Sequence, residues 1–139
     1  MSTHLKEKEE KILQILEKLL QESAKGKPII VEGKKDIETL RALGIQGKIM
    51  SAKTGGKSFL DVISEVEEIG VREVILLLDF DRRGKEGTKR IKTNLEKAKI
   101  KTNIKFWRQI FALIGREVKD IESLTSYMET LKRKIGVVA

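Results

Sequence analysis

Apolar positions along the chain recur in two rhythms. Over residues 3–25, Leu5, Ile12, Leu13, Leu16, Leu19 and Leu20 return at helical spacing with charges between them, which predicts an amphipathic helix. Gly26 stops it and Pro28 prevents its continuation. Ile29–Val31 is a short unbroken apolar run, the pattern of a buried strand, closed by Glu32-Gly33. The alternation then repeats. A helix is predicted over 35–43, with Ile37, Leu40 and Leu43 on one face, and a short strand over Lys48–Met50. A polar, Gly-rich loop follows over 51–58, then a helix over 58–69 with Phe59, Val62, Ile63, Val66 and Ile69 inward. Val74–Leu78 is apolar at every position, as suits a central parallel strand covered on both faces, and it ends in Asp79-Phe80-Asp81. The remaining pattern predicts a helix over 85–98 with Ile91 and Leu95 inward, a weaker strand over 100–104, a helix containing Phe106, Trp107, Ile110 and Phe111, and a last helix over roughly 120–135.

Short strands alternating with amphipathic helices define an α/β fold with a central, mainly parallel sheet of about four strands flanked by helices. One domain is expected: residues 1–27 as an N-terminal helix packed on it, 28–105 as its core and 106–139 as its C-terminal helices. In such sheets ligands collect at the carboxyl ends of the strands. The two best strands end in Glu32 and in Asp79 and Asp81, so three carboxylates are expected along one edge of the sheet.

Composition narrows the chemistry. The 139 residues contain no Cys and one His, His4, which excludes disulfides, thiol catalysis and thiolate zinc sites and leaves any metal to carboxylates. Lys and Glu dominate the charged residues while Asn and Gln are scarce, a bias found in hyperthermophile proteins. The charge-dense start, MSTHLKEKEEK, does not read as a targeting peptide, and no apolar run is long enough for a membrane helix, so a cytoplasmic protein is expected. The net charge is +8, and it is not spread evenly. Residues 82–105 carry ten Lys and Arg against Glu86 and Glu96, the entire excess of the chain. A basic segment of this kind is the electrostatic footprint of a polyanion ligand, or else a solvated lysine-rich helix face.

Clustered carboxylates repel one another and call for a compensating cation. With only oxygen ligands the natural ion is Mg²⁺, with Mn²⁺ as a substitute. In an Asp-x-Asp at a strand end, alternate side chains share a face, so Asp79 and Asp81 can converge while Phe80 points away and packs. Glu32, on a separate strand, can serve as general acid or base, or as a further metal ligand. A phosphodiester drawn to the basic segment would then meet a metal that neutralises charge developing during phosphoryl transfer.

The strand-ending motifs IIVEGKKD and VILLLDFDRRG, in that order, with Thr54-Gly55-Gly56 in the loop between them, resemble the TOPRIM domain. That family occurs in topoisomerases, bacterial primases, some nucleases and recombination-mediator proteins. The similarity covers residues 28–105, and among members it is closest to small stand-alone proteins and to the ribonuclease that matures 5S ribosomal RNA. The resemblance implies a compact TOPRIM-like fold, Mg²⁺, a nucleic-acid ligand (RNA or DNA), and a role in RNA processing or in DNA replication and repair. It implies Glu32 as the acid/base glutamate, Asp79 and Asp81 as the metal pair, and Gly33 as the glycine that lets the backbone swing away from the strand. Asp36 sits where many members carry an acid and is a further candidate ligand. Lys34, Lys53, Lys57, Arg82, Arg83, Lys85 and Lys89 are candidate phosphate contacts by position. The chain is too short for the extra domains of a topoisomerase or complete primase, and its only Tyr, Tyr127, lies in the last helix.

Two other functions compete. One is a non-catalytic nucleic-acid-binding module of a larger complex, on the same fold; the surplus length of the N-terminal helix suits a protein partner or a homodimer. The other is a P-loop-like nucleotide-binding protein, since Ser51–Ser58 reads SAKTGGKS and departs from the phosphate-loop pattern only at its first position. Trp107 has a base-stacking role to set against simple packing, and Asp120 and Glu122 a metal role to set against helix-dipole complementarity.

Overall fold

A computed structural model describes residues 2–53 and 58–136. The elements run α1 (Ser2–Ala24), β1 (Ile29–Val31), α2 (Lys34–Ala42), β2 (Ile49–Ser51), α3 (Phe59–Ile69), β3 (Glu73–Leu77), α4 (Arg82–Lys97), β4 (Lys101–Asn103), α5 (Lys105–Ile114) and α6 (Leu124–Gly136). The four strands form one all-parallel sheet in the order β2-β1-β3-β4. Ile29 is in register with Ile49 on one side and Ile75 on the other.

Strand β1 is apolar throughout and β3 is apolar after Glu73, because both faces of these central strands are covered, whereas the edge strand β4 reads Lys-Thr-Asn. Ile29, Val31, Ile49, Ile75 and Leu77 face a core shared with Ile12, Leu16 and Leu19 of α1, Leu40 of α2, Ile110 of α5 and Leu131 of α6. The intervening Ile30, Met50, Val74, Leu76 and Leu78 face a second core built with Val62, Ile63 and Val66 of α3 and Ile91 and Leu95 of α4. The order of strands reverses at β1: its chain leaves toward β2 and later returns beside it as β3. The crevice at the carboxyl ends of β1 and β3 is thus the switch point where such sheets bind ligands.

Several predicted details need correction. Leu13 and Leu20 of α1 are 47% and 39% exposed and Ile69 of α3 is 42% exposed, so these three lie outside the cores. The buried stripe of α1 is the narrower Ile12, Leu16, Leu19 set, which tracks one helix face. Helix α4 begins at Arg82, not 85, because Asp81 caps it. Helix α6 begins at Leu124 because Asp120 first closes a turn, its Oδ1 accepting a hydrogen bond from Ser123 N at 2.8 Å. The side chain of Phe59 and all of Thr54, Gly55, Gly56 and Lys57 lie outside the described residues.

Helix α3 ends where predicted, with Gly70 at φ 77° as its cap. Helix α4 ends in a similar left-handed turn, in which Ile100 N bonds Leu95 O at 2.9 Å and Lys99 N bonds Glu96 O at 3.0 Å, but here a lysine holds the positive φ, 64°. That conformation crowds a Cβ and costs about 1 kcal/mol relative to glycine. Lys99→Gly is expected to raise stability by up to about 1 kcal/mol, read as a higher denaturation midpoint at unchanged slope.

Candidate active site

At the end of β1 the chain passes through Glu32, which is only 9% exposed. Ala52 N bonds Val31 O at 2.9 Å and Lys53 N bonds Glu32 O at 3.1 Å, so the pairing of β2 with β1 continues past the regular strands. This zipper sets Lys53 beside Glu32, Nζ to Oε2 at 3.1 Å. Lys53, expected on phosphate, is therefore the ion-pair partner of the acid/base candidate.

Gly33 follows as the cap of α2, at φ −148° and ψ −177°. This is extended backbone open to any residue, and a Cβ there would meet nothing within 4 Å. The expected conformational reason for this glycine is thus incorrect; the missing side chain instead leaves the cleft above β1 open. Asp36, buried, accepts from Gly33 N at 3.0 Å through Oδ2 and from Glu122 N at 2.8 Å through Oδ1. Burial pushes its pKa up, against the two backbone hydrogen bonds, with the Asp120 and Glu122 carboxylates adding to the rise. Asp36 thereby clamps the start of α2 to the turn before α6.

Beyond β3, Asp79 is partly buried, and among the described residues its carboxylate has no hydrogen-bond or ion-pair partner. Burial, reinforced by the carboxylates of Glu32, Asp36, Asp81 and Asp120, pushes its pKa up to about 7. Phe80 packs inward as predicted, 2% exposed, with its N donating to Lys119 O at 2.7 Å. Asp81 is exposed and caps α4, its Oδ1 accepting from Gly84 N at 2.7 Å. Gly84 is buried where the first turn of α4 meets the backbone of Asp79; a Cβ there would lie 2.0 Å from Asp79 O.

Glu32, Gly33, Lys34, Lys35, Asp36, Lys53, Asp79, Asp120 and Glu122 line one cleft of about 300 Å³. Asp120 and Glu122, weighed from sequence mainly as helix-dipole residues, belong to its wall; the only signal in the chain was their acidity before the last helix. A groove of about 180 Å³ continues from Glu32 and Lys53 along α4 to Arg83, Glu86, Gly87 and Arg90. The other predicted phosphate contacts disperse. Arg82 pairs with Glu86 at 3.3 Å, Lys89 is exposed on α4, and Lys85 lines a different cavity with its Nζ 4.5 Å from the centre of the Phe111 ring. Trp107 donates Nε1–H to Leu78 O at 2.9 Å and stacks on Phe111 at 5.4 Å, so packing occupies the ring considered for bases. The Ser58 hydroxyl that a phosphate loop would turn toward a metal caps α3 instead, accepting from Asp61 N at 3.3 Å.

A parallel sheet with a carboxylate cleft at its β1–β3 switch point, ending in Glu-Gly and Asp-x-Asp, is the site of a Toprim domain, and the chain belongs to that family: the Toprim domain pattern matches residues 26–106. Its relatives are the UPF0292 proteins of archaea. It is 44% identical over 120 residues to the one from Methanocaldococcus jannaschii, covering 86% of this chain and 91% of that one. A UPF0292 protein of Methanosarcina acetivorans is 34% identical over 128 residues, 92% of this chain and 87% of that one. A solved structure of a protein from Aquifex aeolicus superposes with a TM-score of 0.65 at 25% identity, over 78% of this chain and 94% of that one. Membership points to a metal-dependent, nucleic-acid-related function, and Toprim domains generally bind Mg²⁺. Among the described residues, no helix is long and apolar enough to cross a membrane.

The residues present fit such an ion. The donors are all oxygens, and Asp79 sits among like charges that a cation would relieve. Among the described residues no three carboxylates converge closely enough to enclose an ion by themselves.

Proposed function

We propose that this protein binds RNA or DNA and hydrolyses or transfers its phosphodiesters with the help of Mg²⁺. The supporting observation is the single cleft that gathers Glu32 from β1 and an unpaired, charge-crowded Asp79 from β3. Asp79 and Asp81 would hold the ion, which when bound supplies charge neutralisation at the reacting phosphoryl group. Glu32 holds or accepts the proton of the attacking or leaving oxygen, and Lys53 fixes its orientation. Lys34, at the rim, and Arg83 and Arg90, along the adjoining groove, position the strand through its phosphates. Asp36 positions α2 rather than touching the ion, since each of its oxygens already accepts a backbone N–H. A cytoplasmic setting belongs to the same proposal.

The test is incubation of the protein with labelled RNA and DNA, structured and single-stranded, in Mg²⁺ or EDTA, beside Glu32→Gln. Cleavage is expected in Mg²⁺ alone, and Glu32→Gln is expected to lower turnover by about 10²–10⁴-fold while sparing affinity. The Glu32–Lys53 ion pair favours one second reading, a binding module whose acid is held in a structural pair. Binding without cleavage in any arm would select it.

A further inference from the structure

The cleft described above is not the largest concavity near Asp-Phe-Asp. Another, of about 640 Å³, is lined by Phe80 and Phe111 and adjoins it along the chain, since Phe80 and Lys119 line this cleft and their neighbours Asp79 and Asp120 line the first. Its polar wall comes from Lys8 of α1, Lys85 of α4, and Arg116, Glu117 and Lys119 of the turn after α5. Four cations face one carboxylate. Glu117 is taken by Lys8 at 3.3 Å, and Lys119 Nζ donates to Gly115 O at 3.1 Å. That leaves Lys85 and Arg116, which among the described residues have no carboxylate partner. Lys85 is nevertheless held in place, because its ammonium sits over a Phe111 ring that Trp107 backs at 5.4 Å with 11° between the planes. The hydrogen bond from Phe80 N to Lys119 O, 2.7 Å, ties this cationic turn to the residue between the two aspartates.

We propose that this second cleft binds backbone phosphates of the nucleic-acid strand whose reacting phosphodiester lies in the carboxylate cleft. This rests on the proposed function, and deepens it by giving the strand a path past Phe80. Lys85, held over Phe111, and Arg116, both without a carboxylate partner among the described residues, supply charge for backbone phosphates, and Phe111 supplies apolar surface beside them. Of the six residues named for the cleft's rings and its cations, only Phe80 and Lys85 fall within residues 26–106; Lys8, Phe111, Arg116 and Lys119 lie outside the Toprim match. Most of the cleft is therefore supplied by α1, α5 and the turn after α5, outside the Toprim match.

The experiment compares the wild type with Arg116→Ala and with Lys85→Ala/Arg116→Ala. Fluorescence anisotropy would follow single-stranded oligonucleotides of about 4 and about 16 nucleotides, with 5′-hydroxyl or 5′-phosphate ends, across a salt series. Arg116 is exposed and, among the described residues, without a carboxylate partner, so its loss leaves the fold intact, which circular dichroism would verify. The double variant is expected to bind the long strand about tenfold more weakly, with the salt slope reduced by about 0.7 for each phosphate left without its cation. Short-strand binding, confined to the carboxylate cleft, is expected to stay unchanged, and the weakening is expected to be equal for both 5′ ends. Unchanged long-strand affinity and slope in the variants would overturn the second cleft while leaving the proposed function standing. A weakening confined to 5′-phosphorylated strands would overturn the backbone assignment in favour of an end-binding pocket. No binding of any oligonucleotide by the wild type would overturn the proposed function, and the strand path with it.

Discussion

Gly84→Ala is expected to destabilise the protein by about 2 kcal/mol or more, although alanine is the better helix former. Inside a helix the exchange ordinarily gains up to about 1 kcal/mol. Here the added Cβ would lie 2.0 Å from the carbonyl oxygen and 2.5 Å from the carbonyl carbon of Asp79, which is backbone and cannot swing aside. Overpacking of this kind costs about 1–3 kcal/mol or more, enough to reverse the sign. The damage also has a direction. Gly84 N holds Asp81 Oδ1 at 2.7 Å, so lifting the first turn of α4 moves both members of Asp-x-Asp apart. At a temperature where the variant remains folded, Mg²⁺ binding should therefore still be weakened. A denaturation midpoint at or above wild type would show that α4 does not sit this close to Asp79.

Asp79→Asn should raise stability without metal and remove the response to metal. The Asp79 pKa is raised from 3.8 to about 7, with burial the first cause. An acid harder to ionise in the folded than in the unfolded chain lowers stability as pH rises through that interval. The loss begins near the unfolded value and is complete above the folded one. Three units correspond to at most about 4 kcal/mol. Solvent screening at the rim of the cleft reduces this to about 2. In EDTA the wild type should thus lose about that much stability between pH 4 and pH 8, while the Asn variant stays flatter and ends the more stable at pH 8. Adding Mg²⁺ should restore the wild type and leave Asp79→Asn unmoved, with Mg²⁺ affinity at least about 100-fold lower. Thermal melts over this pH range, with and without the ion, check all three expectations. A wild type whose stability is flat from pH 4 to 8 in EDTA would mean that Asp79 is not held among uncompensated carboxylates.

Strands β1 and β3 were legible because both faces of a central parallel strand are dry, and an unbroken apolar run has few other homes. Strand order likewise places Glu32 and Asp79 in one cleft, whereas Asp81, expected to converge with Asp79, caps α4 and does not line that cleft. What escaped depends on partners distant in sequence. Asp81 begins a helix that Arg82, Arg83 and Gly84 disguise as a polar loop. Lys53 looks like a loop lysine until β2 zips onto β1 and delivers it to Glu32. The roles of the two motif glycines were also opaque. Gly33 needs no special backbone, whereas Gly84 is fixed by a contact that no local pattern encodes. The stripe of α1 was drawn too wide, because Leu13 and Leu20 share its apolar character but not its buried face.

The clamp through Asp36 bears on how far this domain can be treated as a transferable cassette. Residues 26–106 contain Glu32, Asp79 and Asp81 but not Glu122, whose amide satisfies Asp36 Oδ1, nor Lys119, whose carbonyl receives Phe80 N. A graft cut at the family boundary would carry the three candidate carboxylates and leave behind two of the hydrogen bonds that hold the walls in register. Modularity in sequence and modularity in mechanics part company here: two of the bonds that set the walls of the recognised unit are made by residues outside it.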